Sequence, residues 1–208
     1  MGMRTARSMA VESVTDGHPD KVCDQIADAI LDAALSQDSL SRVAMEVTGG
    51  HGIVCVVGEM TTKAVLDIGA LARTKYEQIG HNHSIGVMVN VVRQSLDIAQ
   101  GVNTEGAGDQ GVMTGYAIQG EANFMPRAWN LARGLTNLLT SVRRSGKLTY
   151  LRPDGKSQVT LVNGVVTKVT IAAHHAGDVS LEQIRRDILE HVVRQIVPEI
   201  ADADVIIN

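Results

Sequence analysis

The hydrophobic pattern spells one series of elements twice, and that repetition narrows the folds open to the chain. In the first half, Arg4–Val14 reads as a strand and Asp20–Gln37 as a helix, with Val22, Ile26, Ile30 and Ala33 on one face. Arg42–Thr48 and Ile53–Met60 read as strands joined by Gly49-Gly50-His51-Gly52, a hairpin loop with room for positive φ. Val65–Ile79 is a helix stopped by Gly80, and Val87–Val92 a strand. The second half repeats the order: strand Met113–Ile118, helix Pro126–Ser145, and strands Ser157–Val162 and Val165–Ala172 around Asn163-Gly164. Helix Leu181–Val197, with Ser180 and Gln183 as a capping box, and strand Val205–Ile207 complete it. The expected fold is α+β: two consecutive βαββαβ units, each a mostly antiparallel sheet covered by helices. Domain 1–100 precedes a glycine-rich loop over 101–112, and domain 113–208 follows. Gln94–Gly111 reads as one long loop, a length usually kept for function.

Composition excludes several classes. Hydrophobic residues make up 44% and support a globular core, but aromatics are only 2%, too few for base-stacking platforms. With a formal charge of −4, nucleic acid is not the expected partner. Cys23 and Cys55 are too few for a disulfide framework and read as reduced thiols of a cytoplasmic protein. No apolar run has the length of a membrane span, and the N-terminus lacks a signal peptide's apolar core.

Chemistry concentrates in Glu12-Ser13-Val14-Thr15-Asp16-Gly17-His18-Pro19-Asp20-Lys21. Pro19 suits a first helical position and Asp20 a first turn, so the stretch brings a histidine, a carboxylate and a lysine to a helix start. Such a point suits a phosphate with a bound cation, and equally a capped helix with solvated charges. Gly106-Ala107-Gly108-Asp109-Gln110-Gly111 spells G-x-G-x-x-G, but a loop precedes it and a strand-like stretch follows, so a dinucleotide site is not expected. His81-Asn82-His83 lacks further ligands at zinc spacing and reads as a satisfied or solvated pair. Pro153-Asp154-Gly155-Lys156 reads as a turn. Glu46 and Glu59 lie within apolar strands, where a carboxylate either points outward or needs a partner.

The decapeptide resembles the opening signature of the S-adenosylmethionine synthetases (methionine adenosyltransferases). Further blocks follow in that family's order: Val57-Gly58-Glu59-Met60-Thr61-Thr62, Gln94-Ser95-Leu96-Asp97-Ile98, Gly106-Ala107-Gly108-Asp109-Gln110-Gly111, and Leu151-Arg152-Pro153-Asp154-Gly155-Lys156-Ser157-Gln158-Val159. The similarity runs from about Ser8 to Asn208 and covers the family's N-terminal and central domains; members have a third unit and are nearly twice this long. There are departures. Leu96 stands where a proline is usual, Gly155 replaces a common alanine, and Ala173-His174-His175-Ala176 replaces Thr-Gln-His-Ser, so no adenine contact is carried to Ala176.

The resemblance implies a transferase that makes S-adenosylmethionine from ATP and methionine and releases phosphate and pyrophosphate. It implies catalytic roles for His18, Asp20 and Lys156, with His18 on the leaving triphosphate oxygen. Asp20 would hold Mg²⁺ and Glu46 would help hold K⁺. Glu12, Lys21, Asp154 and Gly155 would bind substrate, the last two in an ATP-binding turn; Glu59, Gln94 and Asp109 would surround methionine. Asp20, Glu46, Glu59, Asp109 and Asp154 face only Lys21, Lys156 and His18 in that set, although triphosphate is a strong polyanion. The expected partner is a complementary C-terminal synthetase subunit rich in Gly, Lys and Arg, two such pairs forming a dimer of heterodimers. The alternative is a regulatory or decoy subunit that binds a synthetase.

Overall fold

The computed structural model describes residues 7–103, 106 and 110–208. The elements run β1 (Ser8–Val14), α1 (Pro19–Gln37), β2 (Arg42–Gly50), β3 (Ile53–Thr61), α2 (Ile68–Ile79), β4 (Gly86–Val92) and α3 (Leu96–Asn103). They continue with α4 (Arg127–Arg144), β5 (Leu151–Val162), β6 (Val165–His175), α5 (Leu181–Ile188), a π-helical turn (Leu189–Val193), α6 (Arg194–Ile196) and β7 (Val205–Ile207). The α+β class holds, with two mixed sheets. Two compact units form: a terminal unit, from the chain start to His18 and again from Tyr116 to Asn208, and an inserted unit, Pro19–Gly115.

In the terminal unit the sheet order is β1-β5-β6-β7. β1–β5 and β5–β6 are antiparallel and β6–β7 is parallel. β5 alternates without exception, burying Leu151, Pro153, Gly155, Ser157, Val159 and Leu161 toward α4. With Leu135 and Leu139 of α4, Ile171 of β6 and Ile184 and Ile188 of α5, these form one core. In the inserted unit the order is β2-β3-β4, β2–β3 antiparallel and β3–β4 parallel. Its core joins Val22, Ile26 and Ile30 of α1, Val54 and Val56 of β3, and Ala72 and Ile79 of α2.

Local signals set several boundaries. Asp67 caps α2, its carboxylate accepting from the Ala70 amide at 2.8 Å, so the helix starts at Ile68 and not at Val65. Gly80 ends α2 at φ 111°, and the Ser180 hydroxyl accepts from the Gln183 amide at 3.2 Å. Asn163 and Gly164 take φ of 52° and 83°, the turn expected between two strands.

Four expectations are corrected. β1 does not open the sheet of α1, β2 and β3; it pairs with β5, taking the place expected of Met113–Ile118, which forms no strand. Asp154-Gly155-Lys156 is not a turn but part of β5, with Pro153 at a register irregularity between Leu151 and Gly155 where the missing N–H is tolerated. The stretch Gln94–Gly111 is not all loop, because α3 occupies Leu96–Asn103, opened by Ser95, whose carbonyl accepts from the Ala99 amide at 3.0 Å. Leu181–Val197 is not one regular α-helix: the turn at Leu189–Val193 widens it and buries Leu189, Val192 and Val193.

Candidate active site

The signature loop is tied down at every residue from Thr15 to Gly17. The Thr15 amide donates to the Gly155 carbonyl at 2.9 Å, and its buried hydroxyl donates to the Pro153 carbonyl at 2.7 Å. Gly17 lies so close to β5 that an added Cβ would sit 2.2 Å from the Pro153 Cβ. Only glycine fits there. Asp16 accepts from the Arg143 guanidinium at 3.1 and 3.2 Å and also pairs with Arg144. The Asp16 and Arg143 side chains are only 18% and 13% exposed, so the pair is poorly screened. These contacts fix the chain leading to His18 against β5, and the His18 amide donates back to the Thr15 carbonyl at 3.3 Å.

His18, Asp154, Gly155, Lys156, Ala173, His174 and Asn208 line an open pocket of about 450 Å³. The side-chain position of Gly155 faces the core under α4, where an alanine Cβ would come within 2.9 Å of the Leu139 side chain and 3.1 Å of the Ala172 carbonyl. A smaller recess of about 130 Å³ adjoins it, sharing Lys156 and Ala172 and reaching Glu12 and Gln158. Lys156 Nζ lies 2.5 Å from one Glu12 oxygen, and the Gln158 amide donates to the other at 2.9 Å. Those side-chain bonds, from Lys156 first and Gln158 second, hold the Glu12 carboxyl below its ordinary 4.5. Lys156 is 41% exposed, so the pair is a loose one that a polyanion entering the pocket can compete for.

Sequence reasoning missed Asp16, Arg143 and Asn208. Asn208 accepts from the Ala173 amide at 2.7 Å and donates to its carbonyl at 3.0 Å, so a side-chain amide extends the β6 ladder at the pocket wall. The Asp16–Arg143 pair spans 127 residues and leaves no local pattern to find. The acidic residue inside the signature was its only trace.

The structure therefore brings Glu12, His18, Asp154, Gly155 and Lys156 together in the terminal unit. Asp20, Lys21, Glu46, Glu59 and Gln94 belong to the inserted unit. Asp20 is exposed in the first turn of α1. Burial first, then the Asp20 and Asp24 carboxylates, pushes the Cys23 thiol up. Glu46 pairs in register with Val57, two residues from Glu59. The two carboxylates thus share the sheet face opposite Met45, Val47 and Val56. The Gln94 side-chain oxygen is buried without a hydrogen-bond partner among the described residues. Asp109 lies outside the described residues. His81 stacks on Tyr76 at 4.2 Å, and the Tyr76 hydroxyl meets His83 Nε2 at 2.7 Å. Among the described residues no three His, Cys, Asp or Glu converge to hold a metal alone, and no helix is long and apolar enough to cross a membrane.

A buried, glycine-tight loop places a histidine in one pocket with a strand lysine in an α+β chain, and comparison with known proteins gives the class its name. Residues 6–101 match the S-adenosylmethionine synthetase, N-terminal domain, and residues 104–208 match the S-adenosylmethionine synthetase, central domain. The chain belongs to the S-adenosylmethionine synthetase family. It is 42% identical over 224 residues to an S-adenosylmethionine synthase of Thermus thermophilus, covering 94% of this chain and 57% of that protein. It is 42% identical over 226 residues to one of Clostridium botulinum, covering 95% and 58%. An S-adenosylmethionine synthase of Clostridium tetani is 41% identical over 214 residues, covering 90% and 55%. The chain thus spans a little over half the length of the curated relatives it matches.

Proposed function

We propose that this chain is one subunit of a split methionine adenosyltransferase and works with a complementary synthetase polypeptide. The observation that carries the reading is the pocket that His18 and Lys156 both line, in a chain 42% identical to a synthase over 224 residues. In the proposed reaction the methionine sulfur forms a bond to C5′ of ATP. The C5′–O bond breaks, and its electron pair leaves on the triphosphate. Water then divides triphosphate into phosphate and pyrophosphate.

The residues meet the charge changes of that step. Lys156 exchanges Glu12 for the polyphosphate, and His18 donates to the oxygen on which negative charge grows. The ties on Thr15, Asp16 and Gly17 hold His18 in place beforehand, so little reorganisation accompanies the reaction. Asp154 and Gly155 bind the nucleotide at the pocket floor and wall. Glu59, Gln94 and Asp109 receive methionine, and the orphaned Gln94 oxygen is an acceptor ready for its ammonium.

The donor set fits the two cations of the reading. Mg²⁺ is commonly held by one or two carboxylates together with substrate phosphates, so exposed Asp20 suffices without a protein cage. Glu46 offers an accessible oxygen donor for K⁺. Bound Mg²⁺ would offset charge on the leaving triphosphate.

The set lacks the cations to balance triphosphate alone, which supports a second polypeptide bearing lysines and arginines, the pairs assembling as a dimer of heterodimers. The test is S-adenosylmethionine formation from ATP, methionine, Mg²⁺ and K⁺, by this chain alone and with the complementary part of a synthetase. Product only in the mixture supports the reading; no product in either refutes it.

A further inference from the structure

We propose that His174 is a second phosphate-binding side chain of the pocket, set diagonally from Lys156 across the β5–β6 ladder. Together the two hold an inorganic polyphosphate before any partner polypeptide is present. This rests on reading the pocket as the polyphosphate site, and it adds a residue from outside the blocks that carry the family resemblance.

β6 ends in two adjacent histidines that differ in their surroundings. His175 is half buried, and its Nδ1 lies 2.7 Å from the Ala176 carbonyl. His174 alternates to the other face, where it is exposed, lines the pocket and forms no side-chain hydrogen bond among the described residues. The ladder sets its place. Lys156 pairs in register with Ala172, so His174, two residues further along the same face, is its diagonal neighbour. Diagonal neighbours stand about 7–8 Å apart, within reach of long side chains. A phosphate group seated over the small, exposed Ala172 has Lys156 on one side and His174 on the other.

The neighbouring strand is irregular at this point. Leu151 pairs with His175 and Gly155 with Ala173, so Arg152, Pro153 and Asp154 together face His174 alone. An excess of residues on one strand bends it and re-aims side chains. Pro153 is buried against Gly17, while Arg152 and Asp154 are half buried on the pocket side. The charged and titratable groups around His174 are thus Arg152, Asp154 and Lys156 from β5, His18 from the signature loop and Glu12 in the adjoining recess; β7 leads to the Asn208 amide. Glu12 already occupies Lys156, and Asp154 adds a second carboxylate to the wall. An imidazolium at His174 supplies positive charge that this set is short of. Imidazole changes charge near neutrality, so the grip tightens as pH falls from 8 to 6. Glu12 takes no part in that change, because Lys156 and Gln158 hold its carboxyl below 4.5.

The probe is inorganic tripolyphosphate, titrated calorimetrically into the purified chain and its His174→Gln variant at pH 6 and pH 8. Glutamine keeps a polar side chain and removes the titrating charge. Ionisation of the probe and of His18 is common to both proteins, so the ratio of their affinities isolates His174. The expected loss is about tenfold or more at pH 6 and about twofold or less at pH 8. The substitution is exposed and breaks no hydrogen bond, so Tm should stay within about 2 °C of the parent. In the parent itself, the His174 ring signals should shift by NMR when the probe is added. Equal affinities at pH 6, an equal loss at both pH values, or ring signals that do not move overturn the proposal. So does a parent chain that binds no tripolyphosphate. Assaying product in the two-polypeptide mixture separates this from the catalytic reading. Tripolyphosphate held through His174 without product ends that reading and keeps the His174 contact; product with equal affinities does the reverse.

Discussion

Replacing Asp16 with Asn tests whether the signature loop is held electrostatically. The change keeps the shape of the side chain and removes the charge that Arg143 faces at 3.1 and 3.2 Å. A hydrogen bond to a charged group contributes about 1.5–3 kcal/mol. Arg144 is 57% exposed, and its pairing adds little to that. A chain of this size loses about 2–4 °C of Tm per kcal/mol, so the variant should melt about 3–12 °C lower. Calorimetry and near-ultraviolet circular dichroism would report the transition, and a double-mutant cycle with Arg143→Met would isolate the pair, with an expected coupling of at least about 1 kcal/mol. A Tm within about 1 °C of the parent, or purely additive effects in the cycle, would refute the reasoning.

Gly17→Ala should be still more damaging, because no rotamer relieves a Cβ placed 2.2 Å from the Pro153 Cβ; loss of hydrogen-exchange protection at Thr15 and Gly155 would show the loop displaced, and unchanged protection would contradict it. The Glu12 carboxyl should titrate below 4.5 by NMR, and its pKa should rise towards that value in Lys156→Met. The sign follows: a depressed folded value stabilises above the unfolded pKa, and the contribution is lost as pH falls through the folded value, so Lys156→Met should soften the acid limb of the stability curve. Asp20→Asn should abolish turnover in the assembled enzyme while sparing its fold, and near-normal activity at ordinary Mg²⁺ would count against that assignment.

Much of this fold is legible in the sequence because it is local. Period-two and helical patterns, Gly80, Asn163-Gly164 and Ser180 mark elements whose causes lie within a few residues. What failed was long-range. Alternation says that Ser8–Val14 is a half-buried strand, not which sheet it joins, and β5 is remote in sequence. Val112–Ile118 carries strand chemistry, but a strand needs a partner, and none of the described residues supplies one. At Pro153-Asp154-Gly155 the turn-forming residues are genuine, yet burial of Leu151, Pro153, Gly155 and Ser157 against α4 outweighs local preference. Of the candidate site, Glu12, His18, Asp154, Gly155 and Lys156 were findable because they sit in recognisable blocks, and the structure gathers them around one pocket and its adjoining recess. The Asp16–Arg143 clamp and the Asn208 amide were not, since each joins residues far apart in the chain.

The central claim is that these 208 residues hold half of a synthetase's chemistry and need the other half. The most direct measurement is S-adenosylmethionine formation by the purified chain with ATP, methionine, Mg²⁺ and K⁺, before and after a complementary synthetase polypeptide is added. The account predicts no product from the chain alone and product once the complement is present. Robust turnover by the chain alone, with no second polypeptide detectable, would contradict it.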